Sequence, residues 1–104
     1  MVLGASGNPT SLQIPPRSNK FTSYSTCYPK CTEKYFPDEG IYALSALLHT
    51  HLAGRAIKTT LIRNDIAIKE LFYNPTYDFN NQFMTDIEPV KLYKVTVNFV
   101  FEQN

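Results

Sequence analysis

The middle of the chain reads Ile57-Lys58-Thr59-Thr60-Leu61-Ile62-Arg63-Asn64-Asp65-Ile66-Ala67-Ile68-Lys69. β-Branched and aliphatic residues are frequent at both ends of this stretch, a composition that strands favour. Between them, Asn64 and Asp65 are residue types that tolerate positive φ and often form the turn of a β-hairpin. The stretch therefore predicts two antiparallel strands, 57–63 and 66–69, which give neighbouring segments a ladder to pair with.

Both histidines of the chain lie just before this hairpin, in Leu48-His49-Thr50-His51-Leu52. On a helix, side chains two positions apart point to nearly opposite sides, whereas on a β-strand they point the same way, roughly 7 Å apart at the backbone. Only an extended backbone would let both imidazoles reach one metal ion. The spacing of His49 and His51 thus predicts a metal site if this segment is extended.

The segment before the histidines is open to two interpretations. By propensity, Tyr42–Leu48 could be helical and Gly54 could end the helix, in which case the histidines would be ordinary surface residues. If the segment is extended, the histidines share a face with Leu47 and Ala53. Those apolar neighbours would then limit the access of water to a two-nitrogen site and tune its metal.

Length and composition favour one all-β domain. A chain of 104 residues can bury a modest single core, and seven Tyr, seven Phe and seven Pro suit strands with irregular connections. The net charge of +1 gives no indication of nucleic acid or an acidic membrane as a partner. The sequence has no long apolar run that could span a membrane, and its first residues do not have the pattern of a signal peptide.

The two ends of the chain have different patterns. Residues 1–10 are small and polar, which predicts a flexible lead-in, and Phe21–Thr26 has the composition of a strand. From Tyr93 to Phe101, apolar and polar residues alternate, which predicts a half-buried final strand. We expect that strand at an exposed sheet edge, and we expect Met84 to fill space in the core.

The cysteines Cys27 and Cys31 are predicted to lie in a loop with Pro29. Three interpretations are open: two free thiols, half of a zinc site with His49 and His51, or the halves of two disulfides. The zinc interpretation is weak, because the usual zinc finger separates its histidines by three to five residues and only one residue separates these.

The run Leu48–Arg55 resembles the copper-binding signature of the copper type II ascorbate-dependent monooxygenases, the family of dopamine and tyramine β-hydroxylases. By this resemblance, residues 1–104 correspond to the start of the family's C-terminal catalytic domain. They comprise the lead-in 1–10, a resembling region 11–94 and a divergent tail 95–104. The other segments that carry the resemblance are Ile14-Pro15-Pro16-Arg17, Tyr24 to Thr32 with both cysteines, Gly40-Ile41 and Tyr77-Asp78-Phe79-Asn80.

The resemblance implies an antiparallel β-sandwich of jelly-roll type, of which this chain is part. It also implies that His49 and His51 are two of three protein ligands to the copper that binds dioxygen, with a methionine as the third. In the family, that copper activates O2 to hydroxylate an unactivated C–H bond. A second copper, held by the preceding domain, supplies an electron, and ascorbate reduces both.

Further expectations follow from the same resemblance. The substrate would be a small molecule, with a leaning towards an aromatic amine of the phenethylamine type, and the protein would work in the secretory pathway or outside cells. In the family, the cysteines that correspond to Cys27 and Cys31 pair with cysteines further along the domain. This chain has no later cysteine, so either the partners are missing from it or the pairing has been lost. The N-terminal copper domain and the third ligand are absent too, so we expect the isolated chain to be inactive.

A second hypothesis is a catalytically inactive β-rich module, derived from the family, that binds metal or a partner protein. Under this hypothesis the final strand would pair with a partner or with a second copy of the chain.

Overall fold

Two antiparallel sheets make up the fold. The computed structural model describes residues 13–94 and 98–103. A four-stranded sheet has the order β1-β6-β3-β4, and a two-stranded sheet pairs β2 with β5. The all-β prediction is confirmed, with one short helix added, whereas closure into a jelly-roll sandwich stays a prediction. The elements are β1 (Ser23–Cys27), α1 (Pro29–Tyr35), β2 (Ile41–Leu47), β3 (Ile57–Arg63), β4 (Ile66–Asn74), β5 (Met84–Leu92) and β6 (Asn98–Gln103).

The predicted hairpin is confirmed. Asn64 and Asp65 form its turn with φ values of 50° and 61°, the left-handed conformation that a tight hairpin needs at both central positions. Along β3, burial alternates: Ile57, Thr59 and Leu61 are buried, and Lys58 and Thr60 between them are more accessible. β4 continues to Asn74, five residues beyond the predicted end at 69, because the ladder with β3 extends that far.

The loop predicted around the cysteines is wrong for residues 29–35, which form α1. Pro29 occupies the first turn of this helix, where its missing N–H is no loss and its fixed φ suits the helix. The Thr32 hydroxyl donates to the Pro29 carbonyl at 2.9 Å, and the Phe36 N–H donates to the Thr32 carbonyl at 2.9 Å. Cys27 therefore ends a strand, and Cys31 lies in the first turn of a helix.

The extended interpretation is correct for the residues before the histidines, since β2 covers Ile41–Leu47. β2 pairs with β5, which the sequence did not indicate. β5 contains Pro89, and a proline is tolerated there because this strand has a neighbour on only one side among the described residues. Met84, at the start of β5, is 64% exposed, so the prediction that it fills the core is wrong.

The last strand is central in its sheet. β6 pairs with β1 on one side and β3 on the other, so that Val100 is opposite both Thr26 and Thr60. The prediction of an exposed edge is therefore wrong, and both edges of this strand are already used. Residues 1–10 and 95–97, which include the predicted lead-in and part of the alternating segment, lie outside the described residues.

The core joins the helix end to both sheets. Phe36, Leu61 and Leu92 form a buried cluster, with Leu61 and Leu92 each 1% exposed. Partly buried side chains surround the cluster: Cys27, Ile41, Ala43, Leu71 and Val90. No helix in the described part of the chain is long and apolar enough to cross a membrane.

Replacing Leu61 by Ala should lower the free energy of unfolding by about 2–5 kcal/mol, because it leaves a cavity at the junction of the sheets. Ile68→Ala, on the same hairpin but 50% exposed, is the matched control and should cost much less. Urea denaturation followed by circular dichroism measures both values. Equal losses in the two variants would contradict this assignment of the core.

Candidate metal centre

The two histidines follow directly after the end of β2. The strand ends at Leu47, and the next residues belong to no ladder. Thr50 is buried, at 6% exposure, whereas His49 and His51 on either side of it are exposed. Their ring centroids lie 5.1 Å apart with an interplanar angle of 83°. The structure therefore brings the two predicted imidazoles together on one side of the chain.

A buried tyrosine holds this segment where the ladder has stopped. The Thr50 N–H donates to the Tyr77 hydroxyl at 3.0 Å, and that hydroxyl donates to the Leu48 carbonyl at 3.3 Å. Tyr77 is 5% exposed, so its hydroxyl acts inside the protein, where it replaces a strand neighbour as donor and acceptor. Thr50 is thereby fixed inward, and its two neighbours are directed outward.

A glycine allows the chain to fold back against Thr50. A Cβ atom at Gly54 would lie 2.0 Å from Thr50 Oγ1, a distance that no real contact allows. The Gly54 N–H donates to the His51 carbonyl at 3.0 Å, which closes a turn directly after the histidines. Gly54 therefore has a packing role at this site and is more than an ordinary loop glycine.

Gln82 contacts the first histidine from a loop that is distant in sequence. Its Oε1 lies 2.5 Å from His49 Nδ1, and its Nε2 donates to the Phe79 carbonyl at 2.7 Å. The same Nε2 lies 3.5 Å from the Thr50 carbonyl. The neighbouring segment, residues 77–80, is one of those that carry the family resemblance. No pattern in the sequence indicated a role for Gln82.

Leu47 and Ala53, which were predicted to limit the access of water to the histidines, do not cover the imidazole rings in the described part of the chain. Leu47 is 49% exposed and Ala53 is exposed as well, so neither side chain screens the rings from water. Leu52 and Phe83, near the same loops, are 70% and 71% exposed. The prediction that this face limits access of water is therefore wrong for these residues.

The two imidazoles fit a copper ion as two of its ligands. A ring nitrogen lies about 2 Å from a metal that it binds, so rings whose centroids are 5.1 Å apart are close enough to reach one ion. Imidazole is a ligand that copper accepts readily. Within residues 13–94 and 98–103, no group of three or more His, Cys, Asp or Glu side chains is placed to hold a metal.

The zinc interpretation is wrong for the described residues, because Cys27, Cys31, His49 and His51 do not form one group that could hold a metal. Neither cysteine is in a disulfide in this chain. Burial disfavours the thiolate of Cys27, and the adjacent Cys31 adds to this effect, so that the pKa of Cys27 rises from 9.0 to about 11. Cys31 is the more accessible of the two.

Comparison with known proteins gives a consistent result. The family described as copper type II ascorbate-dependent monooxygenase, C-terminal domain, matches residues 1–96. The chain is 34% identical over 82 residues to MOXD1 homolog 1 of Drosophila melanogaster, covering 79% of this chain and 12% of that protein. It is 42% identical over 72 residues to DBH-like monooxygenase protein 1 of Gallus gallus, covering 66% and 12%.

A third relative is dopamine beta-hydroxylase of Homo sapiens, at 36% identity over 70 residues, which covers 64% of this chain and 11% of that protein. The chain therefore spans 11–12% of the length of the relatives named here.

Replacing Tyr77 by Phe should destabilise the protein by about 1–3 kcal/mol, because the buried Thr50 N–H loses its acceptor. Tyr73→Phe, at a side chain that is 57% exposed, is the control and should change the free energy of unfolding little. Chemical denaturation of both variants measures the difference. If Tyr77→Phe is as stable as Tyr73→Phe, the hydroxyl does not hold this segment.

The pKa of about 11 at Cys27 predicts slow alkylation below that pH, because only the thiolate reacts. In the reduced native chain, the iodoacetamide reaction of Cys27 should reach half its maximal rate near pH 11, against about 9 in urea. Because the pKa of Cys27 is higher in the folded chain than in the unfolded chain, the protonated thiol favours the folded state. Its contribution to the free energy of unfolding is complete below about pH 9 and is lost as the pH rises towards 11. Trypsin separates the two cysteines at Lys30, so mass spectrometry measures each one. The same midpoint in native and urea-treated chains would contradict the prediction.

Proposed function

The chain belongs to the copper type II ascorbate-dependent monooxygenase family, and from this membership we propose that its His49 and His51 are ligands to the copper ion that binds dioxygen. One observation carries the proposal: Thr50 is buried and fixed on the inside, while both imidazoles project outward with centroids 5.1 Å apart. A pair held in this way is ready to bind a metal without reordering of the backbone.

The described residues have distinct roles in such a site. When bound, copper supplies the redox chemistry that dioxygen activation requires. The Tyr77 hydroxyl holds the backbone of Leu48 and Thr50 on either side of His49, and Gly54 lets the chain turn back against Thr50. A copper ion bound by two imidazoles can take further ligands, and in the family these include a methionine. We do not assign that role to Met84.

The activity of the whole protein is proposed at the level of the family. We expect O2- and ascorbate-dependent hydroxylation of an unactivated C–H bond in an aromatic amine-type substrate. The support is that one relative is named as a hydroxylase of dopamine. By the family resemblance, we expect a preceding copper domain to act with this chain and the chain alone to be inactive.

The same membership supports two further proposals. Residues 11–94 would be the start of the family's C-terminal domain, with 1–10 as lead-in and 95–104 as divergent tail. The protein would act in the secretory pathway or outside cells, where Cys27 and Cys31 would pair with cysteines beyond those of this chain.

The copper proposal predicts a loss of cuprous affinity when both histidines are replaced. Free thiols bind Cu(I) strongly, so the test uses a background with Cys27→Ser and Cys31→Ser. In that background, His49→Ala with His51→Ala should weaken binding by more than about tenfold, the scale on which even outer-shell changes act. Competition with a coloured Cu(I) chelator under argon measures the affinity.

The matched control for this test is Met84→Leu, which removes an exposed thioether from the residue that pairs with Leu47, where β2 ends before the histidines. It should leave the affinity unchanged. If Met84→Leu weakens binding and the double histidine variant does not, copper is held elsewhere and the proposed ligand pair is wrong.

A further inference from the structure

We propose that Gln82 is a positioning residue that fixes the tautomer of His49, so that Nε2 is the nitrogen presented to the metal. The consequence for copper rests on the function proposed above. The tautomer itself does not, because it follows from contacts within the protein and can be measured without metal.

The orientation of the Gln82 amide is determined by its backbone neighbours. The amide group has one end that donates and one that only accepts. One end faces the carbonyl oxygens of Phe79, at 2.7 Å, and Thr50, at 3.5 Å. Carbonyl oxygens cannot donate, so the NH2 group must be at this end. The reverse orientation would set the amide oxygen against two other oxygens.

The amide oxygen must therefore face the imidazole, and this decides where the histidine carries its hydrogen. Oε1 only accepts, and it lies 2.5 Å from His49 Nδ1. Nδ1 must therefore be the protonated nitrogen. In the neutral ring the lone pair then lies on Nε2, and a metal can bind only a nitrogen with a lone pair. A hydrogen bond from the second ring nitrogen to a protein acceptor is also the usual way to orient a ligating histidine.

The loop that carries Gln82 is built to hold this position. Asp78 organises it, since its carboxylate accepts the Asn80 N–H at 2.9 Å and its carbonyl accepts the Asn81 N–H at 3.0 Å. Two members of the loop then contact Thr50, one at each backbone polar group: the Tyr77 hydroxyl at the N–H and Gln82 Nε2 at the carbonyl. One loop therefore holds both Thr50, which lies between the histidines, and the imidazole ring of His49.

The tautomer can be measured directly in the metal-free chain. Long-range 1H–15N NMR at about pH 8, where imidazoles are mostly neutral, distinguishes a ring protonated at Nδ1 from one protonated at Nε2. We expect His49 to carry its hydrogen on Nδ1 in the unaltered chain. A spectrum with the hydrogen of His49 on Nε2 overturns the proposal, and this measurement requires no variant to fold.

Variants test whether Gln82 is the cause. Gln82→Ala should shift His49 towards the Nε2-protonated form that free imidazole side chains favour. The matched control is Asn81→Ala, which removes a neighbouring amide that bonds Asp78 at 3.1 Å and leaves the acceptor at Nδ1 in place. The control should keep the native tautomer even if it loosens the loop. Retention of the Nδ1-protonated form in Gln82→Ala would overturn the proposal.

Copper affinity then separates this inference from the function on which it builds. In the cysteine-free background, Gln82→Ala should weaken Cu(I) binding by about 10–100-fold, the range usual for outer-shell partners, and Asn81→Ala should not. If the double histidine variant leaves copper affinity unchanged while NMR finds the Nδ1-protonated tautomer, the metal function fails and the assignment of Gln82 stands. If both histidines are needed but Gln82→Ala binds copper as tightly as Asn81→Ala, the positioning role is overturned.

Discussion

The hydrogen bond between the Thr50 N–H and the Tyr77 hydroxyl is the interaction on which the site depends. It acts where the β2 ladder has ended, so that the buried Thr50 N–H has a side-chain acceptor in place of a neighbouring strand. Because the hydroxyl donates to Leu48 while it accepts from Thr50, one buried side chain satisfies two backbone groups. Because a side chain replaces a neighbouring strand here, the other side of the segment stays accessible. His49 and His51 lie exposed there, as two metal ligands must.

The packing around this bond couples the site to the rest of the fold. Tyr77 is itself tied to the segment after the histidines, since its N–H donates to the Arg55 carbonyl at 2.8 Å. β3 begins two residues later and carries Leu61 into the core with Leu92 and Phe36. The position of the histidines therefore depends on a chain of contacts that runs from an exposed turn to the most buried side chains.

Local sequence signals predicted those parts of the structure that local interactions determine. Asn64 and Asp65 were sufficient for the hairpin, because few residue types adopt positive φ at both positions. The helix at Pro29–Tyr35 was missed because proline is favoured in turns as well as at the first position of a helix, so Pro29 did not distinguish the two. β5 was missed because Pro89 and its polar neighbours do not alternate like a half-buried strand.

Long-range pairing accounts for the other differences. Alternation from Tyr93 to Phe101 indicated a strand, which the structure has at Asn98–Gln103, whereas Tyr93 and Lys94 belong to no strand. No local pattern tells an edge from a central position. The histidine pair could be predicted from its spacing, conditional on an extended backbone. Gln82 could not, because its contact with His49 joins residues 33 positions apart and depends on the turn at Asp78.

The central place of β6 also bears on how the molecule is made. Its neighbours β1 and β3 precede it in the chain, and the pairs Ser23 with Gln103 and Ile57 with Gln103 span much of the sequence. During synthesis, the β3–β4 hairpin can form as soon as it leaves the ribosome, while β1 cannot pair until β6 has been translated. Until then the backbone groups on the inner edge of β3 are unpaired, and such an edge can pair with other chains before β6 covers it.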